Sequence, residues 1–294
     1  MVTSARQKIC SAVWIFFETA LSPRIARVTV ARLEYTTPSR SLVVRGLKSL
    51  LKKTAPGKLV RTRKYTAYRS INHNGRAVGP NLRGIARLLS ERTWSQGSHE
   101  RVSDGRKGPA WKGPNGGQRR GKAVDAQVTR LAKMSASARQ SASMMRMTKM
   151  TFVALEHHKL VPVDAQRVVV DAKRRLGTAI DIVCQRGNDE LVLVELKAGY
   201  AGSRVAAAML KGRKCQMKGP LAKAQDTVLH RHLAQLATTA SLFRAEAGTM
   251  RALKTKKIAK VSAALLYVNE NGSELHALPD WWTRKASKLV EFIT

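Results

Sequence analysis

The sequence predicts an α/β fold: a helix, three consecutive strands, a second long helix and a fourth strand, all behind a basic N-terminal region. Three observations carry that expectation. AQRVVVDA, TAIDIVCQ and ELVLVELK are short, rich in β-branched residues and separated by the turn-like RRLG and RGND. KAQDTVLHRHLAQLATTASLFRAEA is a long amphipathic stretch closed by Gly248. The charge is divided unevenly: of 54 Lys and Arg and 19 Asp and Glu, a formal +35, residues 1–150 hold 31 of the basic residues and only six of the acids.

Residues 1 to about 55 contain two weakly helical patches, SAVWIFFETAL and RSLVVRGLKSLLKK, the second amphipathic and basic. The Arg, Ser and Thr content of residues 1–70 resembles an organelle transit peptide in composition, with a basic nucleic-acid-binding arm as the equal alternative. From Thr54 to Gly121 the chain is polar, basic and rich in Gly, Pro, Asn and Ser, and SDGRKGPAWKGPNGGQRRGK reads as an extended or disordered linker. A boundary inside it gives a basic, partly helical and partly disordered N-terminal region, 1–120, and a folded domain, 121–294. Tyr65, Tyr68 and Trp94 interleave with the cations of RTRKYTAYR and GQRRGK as in a non-specific nucleic-acid arm.

Order is expected again at Gly121, where Val124, Val128 and Leu131 fall at helical spacing, with the helical signal running in broken form to about Leu155. The three strands follow and read as antiparallel. A basic loop from Gly199 to Pro220 leads to the long helix, VSAALLYVN is a fourth buried strand, NENG turns it towards ELHAL, and WWTRKASKLVEFI is a last helix.

A chain of 294 residues with 44% hydrophobic content has enough core for one sizeable domain or two small ones. A charge of +35 calls for a polyanion, nucleic acid first and an anionic membrane surface second. Cys10, Cys184 and Cys215 are widely spaced with no CxxC pair, so neither a disulfide framework nor a zinc knuckle is supported, and a reducing compartment is expected. No run approaches the roughly 18–20 apolar residues of a membrane span. An intracellular protein is expected; nucleus, DNA-containing organelle and virus association are not distinguished.

The chemistry centres on DELVLVELKAGY. Glu195 and Lys197 stand two apart on an apolar strand and so share a face. Asp181 lies on the preceding strand. A three-residue loop, Gly187-Asn188-Asp189, pairs Arg186 with Glu190 and sets Asp181 opposite Glu195; a two-residue turn would aim the carboxylates at opposite faces. Two facing carboxylates beside one lysine repel unless a hard divalent cation joins them, and such oxygen ligands suit Mg²⁺ or Mn²⁺. A lysine beside that ion can orient the attacking water, which is the equipment for phosphodiester hydrolysis. The plainer reading is an ion pair between Glu195 and Lys197 on a solvated sheet face.

Asp181, a short hairpin and then Glu195-Leu196-Lys197 at the end of an apolar strand, in αβββαβ order, resembles the PD-(D/E)XK nuclease superfamily on its RecB-like and phage-type exonuclease side. The resemblance covers about Gly121 to Val268. It implies a restriction-endonuclease-like core, with a central mixed four-stranded sheet flanked by helices. It further implies one or two Mg²⁺ (or Mn²⁺) ions on Asp181, Glu195 and the Leu196 carbonyl, with Lys197 at the water. The RecB-like branch adds a Gln followed four residues later by Tyr on the helix after the third strand; here Gln235 fits and Thr239 does not. On the first core helix Gly121 and Asp125 match a Gly-x-x-x-acid pattern, with Asp125 either an extra ligand or a surface residue. Lys211, Arg213, Lys214 and Lys218, in the loop after the catalytic strand, are expected on backbone phosphates.

The remaining candidates read as structural. His157, His158, His230 and His232 are expected at the surface, Gln225 and Asp226 in the first turn of the long helix, and Asp164 and Asp171 as turn and edge residues. Trp281 and Trp282 either stack on bases or anchor the last helix. The expectation is thus a metal-dependent nuclease hydrolysing DNA, in replication, recombination, repair or processing, with RNA and endo- versus exonucleolytic action left open. The alternative is a non-catalytic basic nucleic-acid-binding or packaging protein with a nuclease-like core.

Overall fold

A computed structural model describes residues 38–61, 66–72, 74, 76–95, 116–200, 202–208 and 215–294. The expected helical patch at 11–21 and the segment 96–115 lie outside the described residues. The second basic patch forms α1 (Pro38–Lys53), followed by β1 (Gly57–Arg61), β2 (Thr66–Ile71), β3 (Ala77–Gly84) and α2 (Ile85–Arg92). The broken helical signal resolves into α3 (Gly116–Ala132), α4 (Ala136–Gln140) and α5 (Arg146–His157). Then come β4 (Leu160–Asp171), β5 (Leu176–Arg186), β6 (Glu190–Ala198), a short α6 (Ser203–Ala208), α7 (Val228–Ala245), α8 (Ala247–Thr255), β7 (Lys260–Val268), β8 (Ser273–Ala277) and α9 (Asp280–Ile293). Gly248 does not close the long helix as expected. The break falls at Glu246, whose ψ of 86° leaves the helical region, and Gly248 sits inside α8.

The result is a mixed α/β architecture whose sheet has eight strands in the order β1-β2-β3-β5-β6-β7-β8, with β4 on β5. The sheet is therefore wider than the expected four strands. The extra width comes largely from residues 57–84, read from sequence as part of a linker. β3 runs with its middle exposed, so it needs no apolar alternation and gives no period-2 signal. It pairs antiparallel with β2, Ser70 with Val78 and Ile71 with Ala77, and a long-range pairing of its end, Arg83 with Leu176 and Gly84 with Gly177 parallel to β5, joins it to the core.

Helices cover both faces. On one, Leu47 and Leu51 of α1, Ile85 and Leu89 of α2, Leu233, Leu236 and Phe243 of α7 and Leu289 of α9 pack on Leu191, Leu193 and Leu265. On the other, Val124 and Val128 of α3 and Met147 and Leu155 of α5 pack on Ile182, Val192, Val194 and Leu266. The odd and even residues of β6 thus serve different cores, which is why its sequence is an almost unbroken apolar run. The buried Arg167 of β4 pairs with Glu246 at 3.1 Å, bonds Thr249 at 3.0 Å and reaches the carbonyl of Leu51, tying α1 to α8. Among the described residues no helix is long and apolar enough to cross a membrane.

Candidate active site

β5 and β6 pair antiparallel from Arg186–Glu190 down to Ile182–Val194, the register of the three-residue loop, with Gly187 at φ 61°. Beyond Ile182 the strands part. Where the next rungs would lie, the Leu196 N–H donates 2.8 Å to Oδ2 of Asp181. On a strand the N–H and C=O of one residue point to the same edge, so the Leu196 carbonyl also faces this fork. β7 stays parallel to β6 along its length, with Glu195 beside Leu265 and Lys197 beside Tyr267.

Glu195 and Lys197 project towards α7, on the side where Leu191 and Leu193 pack. Lys197 Nζ donates to Glu195 Oε1 at 2.8 Å and to Gln235 Oε1 at 3.2 Å, and Gln235 Nε2 donates 2.7 Å to the same Glu195 Oε1. Gln235 therefore braces the acid and the ammonium from the helix, and neither bond uses Glu195 Oε2. Glu195 is 4% exposed.

Asp181 is held from a third side. Gln166 sits in a stretch of β4 that carries a register shift near Pro162–Asp164, and its own φ is +53°, a left-handed conformation within a strand. Its Nε2 donates to Asp181 Oδ1 at 3.2 Å and to Asp125 Oδ1 of α3 at 3.0 Å. Asp125 is thus brought to the site's border by an amide that carries no mark in the sequence.

The electrostatics follow from this packing. Burial, then the Glu195 charge, pushes the Asp181 carboxyl well above the ordinary range; Asp125 adds to the effect, and Lys197 and the Leu196 N–H oppose it. Burial alone would depress Lys197, but Glu195 and Asp181 outweigh it and hold the ammonium above its usual value. Behind Lys197 stands a group of rings: His232 Nδ1 lies 3.1 Å from the Tyr267 hydroxyl, and Tyr200 meets His232 edge-on with centroids 5.1 Å apart. His232 is therefore not the surface residue expected; burial, then Lys197 and Arg231, push its pKa well below the usual value. Thr239, in the place of the branch's tyrosine, is buried, so no aromatic ring enters from that turn of α7.

Other expected residues sit away from the fork or are structural. Lys218 is exposed, its backbone N–H bonded to the Thr93 carbonyl at 2.7 Å, while Lys211, Arg213 and Lys214 lie outside the described residues. Asp226 precedes α7 rather than opening it; Thr227 caps that helix by accepting from the His230 N–H. Trp282 is 4% exposed and anchors α9, and the Arg231 guanidinium lies 4.4 Å over the Trp94 ring. Neither ring offers an unobstructed stacking platform. Asp164 is turned back on the Ala165 N–H at 2.8 Å and Asp171 on Arg174 at 2.8 Å.

A metal site needs oxygen donors with the right softness and charge, and the fork has them in Asp181, Glu195 and the Leu196 carbonyl. Among the described residues no three His, Cys, Asp or Glu side chains are grouped as a metal-holding cluster. The carboxylates are turned instead on Gln166, Lys197, Gln235 and the Leu196 N–H. A cation entering the fork competes with those donors. Compared with protein-family models and with curated proteins, the chain matches none.

Proposed function

We propose that this chain is a metal-dependent nuclease that hydrolyses DNA phosphodiester bonds at the Asp181–Glu195–Lys197 fork, on a restriction-endonuclease-like core of the PD-(D/E)XK type. The observation that carries the reading is the convergence of a buried acid, a half-buried acid, a half-buried ammonium and a bracing amide at a split in the sheet of a +35 chain. In support, α3, β4–β6, α7 and β7 follow the superfamily's order, with β4–β6 antiparallel and β7 parallel to β6. DNA over RNA follows from family analogy.

The donor set fits Mg²⁺ or Mn²⁺: hard oxygens, and a mutual repulsion that already raises Asp181 and that a divalent charge relieves. Asp181, Glu195 and the Leu196 carbonyl would hold the ion, which when bound polarises a phosphoryl oxygen and acidifies a water. Lys197, protonated, orients the attacking water through its N–H donors and offsets charge growing on the phosphate oxygens. Gln235 keeps Lys197 and Glu195 in fixed relation, and Gln166 sets Asp181 relative to Asp125.

The test is cleavage of linear, circular and single-stranded DNA by the full chain with Mg²⁺ or Mn²⁺. Lys197→Ala and Asp181→Ala should each abolish cutting while salt-sensitive DNA binding persists. Cutting that survives both substitutions overturns the site. Wild type that binds DNA and never cuts with any divalent ion leaves the non-catalytic binding or packaging role.

A further inference from the structure

The β1–β3 meander is joined to the core where β6 has left β5: its last residues, Arg83 and Gly84, lie beside Leu176 and Gly177 on the β5 edge vacated by the fork. The junction is a pair of glycines; Tyr68 takes the side-chain space of Gly177 and lies against Gly84. A Cβ on Gly177 would lie 2.5 Å from Cβ and 2.9 Å from Cγ of Tyr68, and one on Gly84 would lie 3.8 Å from its Cε2. Gly177 has no left-handed φ, so the close approach, not backbone freedom, is what requires it.

Seated in this slot, Tyr68 of β2 points its hydroxyl along β5. It meets the Ala179 backbone in a hydrogen bond, two residues before Asp181, and lies within the fields of Glu195 and Asp181. Burial, then those two charges, raise its pKa, so the phenol keeps its proton and remains a donor. The strand-forming stretch around it is basic: residues 57–84 contain seven Lys and Arg and no acid, and Lys58, Arg76 and Arg83 are exposed. A neutral donor at the rim of an acid pair, on an acid-free flap, is matched to an anion that must approach carboxylates.

We propose that Tyr68 binds substrate: its hydroxyl donates to a non-bridging oxygen of a phosphodiester held at Asp181 and Glu195, and β1–β3 lays the nucleic-acid strand across the fork. The assignment rests on the nuclease reading for its chemistry but has its own readout. Tyr68→Phe keeps the ring in the glycine slot and removes only the O–H. In the full chain it should lower kcat/KM for a 5′-labelled single-stranded oligonucleotide by roughly tenfold to a hundredfold, as expected for a hydrogen bond to a charged group. It should weaken binding of the same oligonucleotide in Ca²⁺, read by fluorescence anisotropy, and lower the melting temperature by no more than about 2–4 °C, the cost of the one lost bond to the Ala179 backbone. Gly177→Ala, which wedges the ring aside, should reproduce both losses.

If wild type cuts and Tyr68→Phe cuts and binds equally well, Tyr68 is no ligand and the nuclease reading stands. If wild type never cuts, anisotropy decides: weaker binding by Tyr68→Phe keeps the phosphodiester contact while the catalytic reading fails, and equal binding overturns both.

Discussion

Replacing Asp226 by Asn should destabilise the protein by about 3–5 kcal/mol, the usual loss when one partner of a buried ion pair is removed. The side chains of Arg231 and Asp226 are 2% and 0% exposed, with Nε–Oδ1 at 2.6 Å and a second bond to Oδ2 at 3.0 Å. The guanidinium cannot shed its proton, so Asn leaves a cation buried against the Trp94 ring 4.4 Å away. The same carboxylate accepts the Ser95 N–H at 2.7 Å, so the chain after α2 loosens together with the start of α7. At roughly 2–4 °C per kcal/mol for a domain of this size, thermal unfolding followed by circular dichroism should shift down by about 6–20 °C. The double substitution Asp226→Leu with Arg231→Met removes both charges and should recover most of the loss. A single-variant loss under about 1 kcal/mol, or a double variant no better than the single, would refute the reasoning.

Three further outcomes are expected. Because the folded Asp181 carboxyl holds its proton to a higher pH than the unfolded one, its share of stability is present in acid and lost as pH rises from the ordinary carboxylate pKa through the raised value; melting temperatures measured across that range in EDTA should show a fall in wild type that Asp181→Asn lacks. Adding Mn²⁺ at tenfold its dissociation constant should stabilise wild type by about 1.4 kcal/mol and Asp181→Asn by much less, read as a melting shift. Gly177→Ala, with its Cβ placed 2.5 Å from that of Tyr68, should cost about 1–3 kcal/mol in urea denaturation, and in a Tyr68→Gly background, which lacks that Cβ, most of the added penalty should disappear.

The centre of this fold was legible because its physics is local. β4, β5 and β6 announce themselves through β-branched runs, and the Gly187-Asn188-Asp189 loop suffices to set the Arg186–Glu190 rung and bring Asp181 up to the fork. Gln235 was legible only through the superfamily resemblance, from its place on the helix after the third strand. What the sequence did not disclose depends on contacts between distant segments. β3 joins the central sheet because β5 has an unoccupied edge, and nothing in AVGPNLRG says so. Gln166 matters through a left-handed backbone and a bulge, and a neutral amide in a strand carries no charge pattern to find. His230 and His232, two apart on a helix, cannot share a face, which speaks against a joint metal site but not against one of them turning inward, and His232 faces Tyr267.

The seating of β3 on β5 also imposes an order on synthesis. Residues 83–84 emerge long before their partners at 176–177; at roughly 5–20 residues per second the nascent meander waits about 5–20 s for the strand that completes it. During that interval its edge is unpaired. Arg83 at the end of β3 and Gly79-Pro80 in its middle disfavour pairing of that waiting edge with a neighbour's.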